Sequence, residues 1–383
     1  MKILIIIGTR PEAIKLAPVI HELQCRQSDI KKNNLYSVVC TTAQHRLLLD
    51  QVLNLFNIVP DYDLDIMKEN QTPAQVAVNV LTKLEPILQT EKPDWVLVQG
   101  DTVTTLASAL VAFYEGYKVA HVEAGLRTYT KCQPFPEEVN RRIVSIIADL
   151  HFAPTKQARD NLLREGIHDN YIVITGNPII DALKLVTELP PSPEVETIFK
   201  NIDIEGRKVI LVTAHRRENF GKSLENICLA LQDIAIRYNN KVQIIYPVHL
   251  NPNVWVPVHR LLGKLPNVTL LPPVDYFTLI HLMKQAWLIL TDSGGIQEEA
   301  PTLGKPVLVL RHLTERPEGI DAGVAKVVGT DRRRIVEEVN LLFEDIANYQ
   351  RMARVNNLYG DGKASQRIVA SLLGEPVDPF ISG

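Results

Sequence analysis

The stretch KILIIIGTRPEAIKLAPVI, residues 2–20, sets the fold expected of this chain. Residues 3–7 are continuously apolar, which is typical of a strand covered on both faces. The turn at 8–11 is followed by a spacing that predicts a helix. Thr9 and Glu12 have the spacing of a capping box, with a proline at an early helical position where its missing amide costs little. A strand, a turn and a helix in this order typically open a nucleotide-binding fold, yet the GxGxxG fingerprint is missing.

Short β-branched runs alternate with longer helical stretches along the whole chain. Alternating strands and helices predict parallel sheets covered on both sides. The predicted fold class is therefore α/β, with two Rossmann-like doubly wound domains and a ligand cleft between them. The strand candidates are 2–7, 36–42, 94–100, 118–123, 150–154 and 171–176 in the first half, and 208–214, 242–248, 268–274, 286–292, 305–311 and 325–330 in the second.

The apolar strands stop over residues 187–206, where three prolines fall within four residues. Clustered prolines favour a linker or an exposed connection. The predicted boundaries are 1–180 for an N-terminal domain and 181–364 for a C-terminal domain. A helix is predicted at about 365–383, and the residues alone leave open whether it packs back on the first domain.

Composition excludes several classes of protein. The chain has 383 residues, 46% apolar and 22% charged, which suits a globular protein with two sizeable cores. Lys plus Arg number 41 and Asp plus Glu 44, so no overall basic field argues for nucleic acid or an anionic membrane. Four widely separated cysteines predict neither a disulfide framework nor a zinc cluster, and they suit a reducing cytoplasm. Ten scattered histidines do not predict a metal site. The first apolar run is too short for a signal-peptide core or a membrane span.

A paired glycine follows one predicted strand in TDSGGIQEEA, residues 291–300. Ser293 is a good N-cap, and either glutamate of this stretch can complete a capped first turn. Gly294 and Gly295 leave backbone amides uncovered at a helix start, which binds phosphate without a positive side chain. A glutamate one or two turns in can accept from ribose hydroxyls. The alternative is a plain capped helix with a flexible turn.

A basic cluster follows the strand that opens the second half, in VTAHRRENFG, residues 212–221. His215, Arg216 and Arg217 lie at the strand end and can neutralise a pyrophosphate or position a sugar. The alternative is a solvated basic loop.

The first half supplies mainly acids at strand and loop ends. Asp101 and Glu123 each end a strand, and Glu137 and Glu138 lie in a loop that runs into a helix. Carboxylates at such equivalent positions can converge on one cleft and shuttle protons. Each alone also fits a cap or a surface acid, and Asp101 is placed to cap the next helix.

Several long motifs follow one another in register. The chain contains, in this order, GTRPEAIKLAP, TAQHR, QGDTVTT, HVEAGLRT, FPEEVNRR, TGNPIIDAL, AHRREN, PVHLNPNV, DSGGIQEEAPTLGKPVLVLR and TERPEGIDAG. Over essentially its whole length it resembles the non-hydrolysing UDP-N-acetylglucosamine 2-epimerases. The resemblance implies two Rossmann-like domains of the GT-B type that close over UDP-GlcNAc. It implies reversible inversion of C2 to give UDP-ManNAc, through elimination of UDP to 2-acetamidoglucal and re-addition. It further implies a cytoplasmic homodimer that feeds cell-envelope polysaccharide synthesis and needs no cofactor.

The resemblance also implies site residues, motif by motif. Asp101, Glu123 and Glu137 match the acid/base set, and His215 matches a catalytic partner on the phosphate side. Arg10 and Lys15 match residues that face the ligand from the first domain, so Lys15→Ala is expected to weaken turnover far more than stability. In the second domain, the UDP-binding one, the matching residues are Ser293, Gly294 and Gly295 for the diphosphate, Glu299 for the ribose and Arg316 for UDP.

Some bacterial members of that family bind a second UDP-GlcNAc as an activator. Gln44, Arg46 and His249 retain parts of that allosteric site, whereas Leu47 and Asn70 depart from it. Val274 and Leu279 likewise depart from the family pattern in a stretch that often contacts the uracil.

Two other activities are compatible with the motifs. The first is hydrolytic release of ManNAc and UDP by the hydrolysing relatives, against which the TAQHR block argues. The second is a GT-B glycosyltransferase, which the acid-rich first domain disfavours.

Overall fold

The computed structural model describes residues 1–28, 34–42, 46–66, 71–202, 204–355 and 357–381. The chain forms two compact units, Met1–Lys184 with Tyr359–Gly383, and Leu185–Leu358. Each unit contains a parallel sheet connected by helices, which confirms the predicted α/β class with two doubly wound domains. No helix within these ranges is both long and apolar enough to cross a membrane.

The first unit is built on a seven-stranded sheet. Its strands are β1 Lys2–Ile7, β2 Tyr36–Thr41, β3 Tyr62–Asp63, β4 Trp95–Gln99, β5 Lys118–Val122, β6 Leu150–Ala153 and β7 Ile172–Ile174. Their order in space is β3-β2-β1-β4-β5-β6-β7, and Ile5 of β1 pairs with Val39 on one side and Leu97 on the other. The six predicted strands are confirmed. The two-residue β3 was missed because it is too short to show a periodicity.

Helices connect these strands in the right order for parallel pairing. They are α1 Arg10–Gln27, α2 Arg46–Leu55, α3 Pro73–Glu91, α4 Val103–Tyr114, α5 Glu137–Ile147, α6 Lys156–Arg164 and α7 Pro178–Thr187. The buried side chains of β1 and β4, such as Ile6 and Val96, form the centre of the core on one face of the sheet.

The second unit repeats the architecture with a six-stranded sheet. Its strands are β8 Lys208–Thr213, β9 Val242–Pro247, β10 Val268–Leu271, β11 Leu288–Thr291, β12 Val307–Val309 and β13 Ala325–Val327. Their order is β10-β9-β8-β11-β12-β13. The remaining helices of the chain are α8 Pro193–Lys200, α9 Lys222–Tyr238, α10 Pro252–Leu262, α11 Tyr276–Gln285, α12 Gly294–Thr302, α13 Pro317–Asp321, α14 Arg332–Glu344, α15 Ile346–Met352 and α16 Ala364–Leu372.

The C-terminal helix α16 belongs to the first unit and packs on α1. Asp181 of α7 holds its start, because one carboxylate oxygen accepts from the amide of Ser365 at 2.8 Å and the other from the amide of Ala364 at 3.2 Å. The helix ends at Leu372, earlier than predicted, and Gly374 beyond it has a left-handed φ of 72°.

The proline-rich stretch 187–206, predicted as a linker or an exposed connection, is largely exposed but has regular structure. It contains α8, which begins after Ser192, whose hydroxyl accepts from the amide of Val195 at 3.3 Å. Pro193 occupies the first turn of the helix, where a proline has no amide to satisfy. Proline, which breaks a helix when it lies in the interior, therefore occupies the first turn of a helix here.

The capping box predicted at the start of α1 is wrong. Thr9 is the N-cap residue in an extended conformation, but its side chain makes no capping bond. Its hydroxyl donates to Glu12 at 3.1 Å, and the other carboxylate oxygen of Glu12 accepts from the amide of Gly8 at 2.5 Å. The predicted early position of the proline is confirmed.

Candidate active site

Glu123 follows β5 and carries the most tightly held carboxylate of the predicted set. Lys15 of α1 places its Nζ 2.5 Å and 2.6 Å from the two carboxylate oxygens. The side-chain amides of Gln99 and Asn177 donate to the same carboxylate at 2.6 Å and 2.8 Å. The backbone of Glu123 has a φ of 65°, a conformation that side chains other than glycine rarely adopt. A buried, strained and multiply hydrogen-bonded residue at the end of a strand is a candidate functional group.

The ion pair with Glu123 changes the interpretation of Lys15. Its side chain is buried, and its ammonium group is occupied by a carboxylate of the same unit. Removing Lys15 would leave that carboxylate buried without its cation, which is strongly destabilising. This geometry therefore predicts a large loss of stability in Lys15→Ala, contrary to the expectation that turnover weakens far more than stability. Arg10 opens α1 and is partly exposed.

Asp101 follows β4 and is paired with a cation that the sequence had not singled out. Its Oδ2 contacts Nη2 of Arg141 from α5, and its backbone carbonyl accepts from the side chain of Asn140 at 2.9 Å. The cap of α4 is Thr102 instead, whose hydroxyl accepts from the amide of Thr105 at 3.1 Å. The capping alternative for Asp101 is thus wrong.

Glu137 and Glu138 open α5 but have different surroundings. Glu138 is buried and accepts from the amides of Thr128 and Tyr129 at 3.1 Å and 3.0 Å, and Arg141 lies 3.4 Å from it. Glu138 therefore holds the preceding loop in place. Glu137 is partly exposed, although its Oε2 is buried, and its acid/base role stays a prediction.

The backbone between β4 and Asp101 borders the Glu123 carboxylate. A Cβ added to Gly100 would lie 3.7 Å from Glu123 Oε2, and Gly100 has a left-handed φ of 76°. The ring of His121 lies 2.7 Å from the carbonyl oxygen of Gly100 through its Nε2. Burial lowers the pKa of His121 to about 3, so this histidine is neutral and structural. The structure thus brings Asp101 and Glu123 to the same end of the sheet.

Glu12 joins two of the loops at this end of the sheet. Its Oε1 accepts from the hydroxyl of Thr102 at 2.8 Å, while its Oε2 is bound to the amide of Gly8. Burial raises the pKa of Glu12 to about 7, against the opposing effect of these hydrogen bonds. The sequence had shown this residue only as a cap.

In the second unit, α12 begins at the paired glycine as predicted, but no side chain caps it. Ser293 is the N-cap residue and makes no side-chain capping bond. Glu298 instead contacts Nε of Arg316, and Glu299 accepts from the hydroxyl of Tyr276 at 2.7 Å. The predicted capped first turn is wrong, because both glutamates are committed to distant partners.

Arg316 lies against the first turn of α12. Its guanidinium is buried, with Nη1 2.5 Å from a carboxylate oxygen of Glu315. Burial would raise the pKa of Glu315, but the charges of Arg316 and Arg311 outweigh it and hold that pKa well below its usual range. A Cβ on Gly294 would come within 2.6 Å of Arg316 Nη1, so a larger residue here would force this guanidinium to shift. Cations and a helix N-terminus at one place form an anion-binding arrangement.

His215 follows β8, and its loop is held by Asp292, which follows β11. The carboxylate of Asp292 accepts from the amides of His215 and Arg216 at 2.9 Å and 2.8 Å. The ring of His215 is about half exposed and stacks on the ring of His249 with centroids 5.6 Å apart. The sequence reasoning missed this contact, since Asp292 had been treated only as the end of a strand.

The structure describes only some of the residues that are predicted to form an allosteric site. Gln44 and Asn70 lie outside the described residues, as do the side chains of Arg46 and Leu47. His249 is described, and its Nδ1 accepts from the amide of Asn251 at 3.0 Å. Within the described ranges no group of three or more His, Cys, Asp or Glu side chains is placed to hold a metal ion.

Comparison with known proteins gives one family. Residues 28–373 match the family model described as UDP-N-acetylglucosamine 2-epimerase. The UDP-N-acetylglucosamine 2-epimerase of Escherichia coli (strain K12) is 53% identical over 377 residues, covering 97% of this chain and 98% of that protein. A crystal structure of UDP-GlcNAc 2-epimerase from Neisseria meningitidis bound to UDP-GlcNAc has a TM-score of 0.90 and 48% identity, covering 98% of this chain and 100% of that chain. The Methanocaldococcus jannaschii UDP-GlcNAc 2-epimerase in complex with UDP-GlcNAc and UDP has a TM-score of 0.82 and 36% identity, covering 98% and 100%.

Proposed function

The chain belongs to the UDP-N-acetylglucosamine 2-epimerase family, and from that premise we propose that it interconverts UDP-GlcNAc and UDP-ManNAc by elimination and re-addition of UDP. C2 of the sugar is not next to a carbonyl group, so its proton is poorly acidic and simple deprotonation is implausible. In the proposed route a base takes the C2 proton as the bond from C1 to the diphosphate oxygen breaks. The oxygen leaves with the electron pair, and 2-acetamidoglucal remains. Re-addition of UDP, with protonation of the other face, gives the epimer.

The observation that carries this proposal is the fixed carboxylate of Glu123 in the first unit. Its orientation is held by Lys15, Gln99 and Asn177, which is the preorganisation that proton transfer at a defined carbon needs. Asp101 and Glu137 complete the proposed acid/base set. Together these acids remove the C2 proton from one face and protonate C2 on the other.

The second unit contains groups that suit binding of the departing diphosphate. The start of α12 at Ser293, Gly294 and Gly295 supplies a positive helix terminus, and Arg316 lies beside it. Such groups stabilise the charge that develops on a leaving phosphate. We assign His215 to the same charge, and Glu299 to the ribose hydroxyls. Arg10 is assigned to the substrate from the first unit.

The proposed route needs no resident cofactor, because a proton and UDP are removed and then added back with no net change of oxidation state. We further propose that the protein works in the cytoplasm as a homodimer, as the resemblance implies. Exposed apolar side chains on the neighbouring helices α4 and α5, such as Phe113 and Ile146, suit such an interface. Sedimentation analysis of the wild type, with Ile146→Asp as the disrupting variant, tests the dimer.

The reaction is tested by following UDP-GlcNAc in deuterated water by NMR. The proposal expects UDP-ManNAc with deuterium at C2. Release of free ManNAc would assign the hydrolysing activity instead, and an unexchanged sugar would exclude both. Glu123→Gln should abolish the exchange, whereas Glu196→Gln on the exposed side of α8 should retain it.

A second measurement tests the allosteric site that Gln44, Arg46 and His249 are proposed to form. Starting from UDP-ManNAc alone, the proposal expects a lag that added UDP-GlcNAc removes. Prompt turnover would withdraw the second site while leaving the epimerisation proposal intact.

A further inference from the structure

Asp292 is a fully buried carboxylate at the end of β11 that the proposed mechanism does not yet use. Its Oδ2 accepts from the amides of His215 and Arg216 and from the side chain of Asn219, at 2.9, 2.8 and 3.0 Å. The same amide of Asn219 donates to the carbonyl of Leu310 at 3.1 Å. These bonds tie the loop after β8 to the ends of β11 and β12, so the position of His215 depends on Asp292.

The other oxygen, Oδ1, has a different environment. It is buried and accepts no hydrogen bond from the residues that the structure describes. The imidazole Nδ1 of His215 lies 4.0 Å from it, about 1 Å beyond hydrogen-bond distance. An unsatisfied buried carboxylate oxygen is costly, so a small rotation of the half-exposed His215 ring that closes this gap is favourable.

From this geometry we propose that Asp292 is a positioning residue that acts through His215. Its Oδ1 accepts a hydrogen bond from Nδ1–H, which selects the ring tautomer and leaves Nε2 for the substrate. The carboxylate also stabilises the imidazolium, so that Nε2–H can donate to the diphosphate oxygen as the bond to C1 breaks. On re-addition of UDP the same hydrogen bond is released.

This inference rests on the proposed function, in which His215 meets the leaving diphosphate. The ring of His249 stacks on His215 and limits its rotation. The other charged groups on the same loop are Arg216, Arg217 and Glu218, and Glu218 is paired with Arg311 at 2.9 Å. Neither arginine can take the place of the carboxylate, because both are cations.

The decisive variant is Asp292→Asn. Its amide oxygen can keep the bonds that Oδ2 accepts, while its NH2 group faces Nδ1 of His215 as a donor and forces the other tautomer. We expect kcat for C2 exchange to fall about 100-fold while KM changes less than about threefold. Unchanged kcat with a normally folded protein would overturn the proposal.

A double-mutant cycle shows whether the effect runs through His215. In a His215→Ala background, Asp292→Asn should cause less than about a twofold further loss, measured by slow C2 deuteration over hours. A further loss as large as in the wild-type background would mean that Asp292 acts elsewhere. Asn219→Ala removes one hydrogen bond to Oδ2 and leaves Oδ1 unchanged, so it should lower kcat far less than Asp292→Asn.

An NMR titration of labelled His215 does not require turnover. The proposal expects the ring to carry its proton on Nδ1 and to take up the second proton at higher pH in the wild type than in Asp292→Asn. Identical titrations in the two proteins would refute the role of Asp292. Suppose that the titration of His215 differs between the wild type and Asp292→Asn but the wild type shows no C2 exchange. The proposed function would then fail, while the positioning contact would stand.

Discussion

The ammonium nitrogen of Lys15 lies 2.5 Å and 2.6 Å from the two carboxylate oxygens of Glu123, and both side chains are more than nine-tenths buried. The two residues are 108 positions apart in the chain, on α1 and after β5. A buried pair of this kind is destabilised strongly when one partner is removed, because the other charge is left uncompensated. The pair therefore links the stability of the first unit to the carboxylate assigned to the reaction.

Lys15→Met is expected to lower the free energy of unfolding by about 3 to 5 kcal/mol and turnover by at least about 100-fold. The double variant Lys15→Met/Glu123→Gln should regain much of the stability, since neither charge remains, yet stay inactive. Urea unfolding and C2 exchange measure the two effects. A Lys15→Met protein as stable as the wild type would contradict the role of the ion pair.

Gly294→Ala should displace Arg316, because the added Cβ would meet Nη1 at 2.6 Å and the Glu315 carboxylate at 3.0 Å. We expect the free energy of unfolding to fall by about 1 to 3 kcal/mol and UDP binding to weaken about 10-fold. Gly295→Ala is the matched control, since its Cβ would meet only Glu299, at 3.8 Å. Equal unfolding midpoints for the two variants would argue against this contact.

Tyr276→Phe should loosen Glu299, which accepts from the Tyr276 hydroxyl at 2.7 Å. If Glu299 reads the ribose, the preference for UDP-GlcNAc over its 2′-deoxyribose analogue should fall roughly 10-fold, seen in kcat/KM. Tyr238→Phe removes another hydroxyl of the same unit, bound to Asn340 at 2.9 Å, and should leave this preference unchanged. An unchanged preference in Tyr276→Phe would disprove the assignment.

Glu12→Gln tests the buried carboxyl that joins Gly8 to Thr102. Since burial raises the pKa of Glu12 from 4.5 to about 7, the stability contributed by its protonated form is fully present below pH 4.5 and is lost as the pH rises through about 7. The free energy of unfolding of the wild type, relative to Glu12→Gln, should fall by roughly 2 to 4 kcal/mol over that window. Urea midpoints at a series of pH values measure it, and a difference independent of pH would rule out the shift.

Local patterns predicted the strands well, because a strand buried on both faces is a continuous apolar run that can be read residue by residue. All twelve predicted strands are present. β1 has the predicted bounds and the other strands are shorter, β12 by four residues, and among the described residues the two-residue β3 was missed. Caps were predicted poorly. Thr9, Ser293 and Asp101 all have suitable spacing, yet their side chains do not cap. Thr9 donates to Glu12 instead, and Asp101 pairs with Arg141.

The sequence by itself determined the α/β class, the family and the motifs from which the candidate residues were named, since these depend on local order along the chain. Only the tertiary structure decided which groups meet. Lys15 binds Glu123, and Asp292 binds the loop of His215 across 77 positions, because the order of parallel strands brings distant strand ends to one edge of a sheet. Hydrogen bonds and ion pairs act over a few ångströms in space, and no spacing in the sequence encodes those distances.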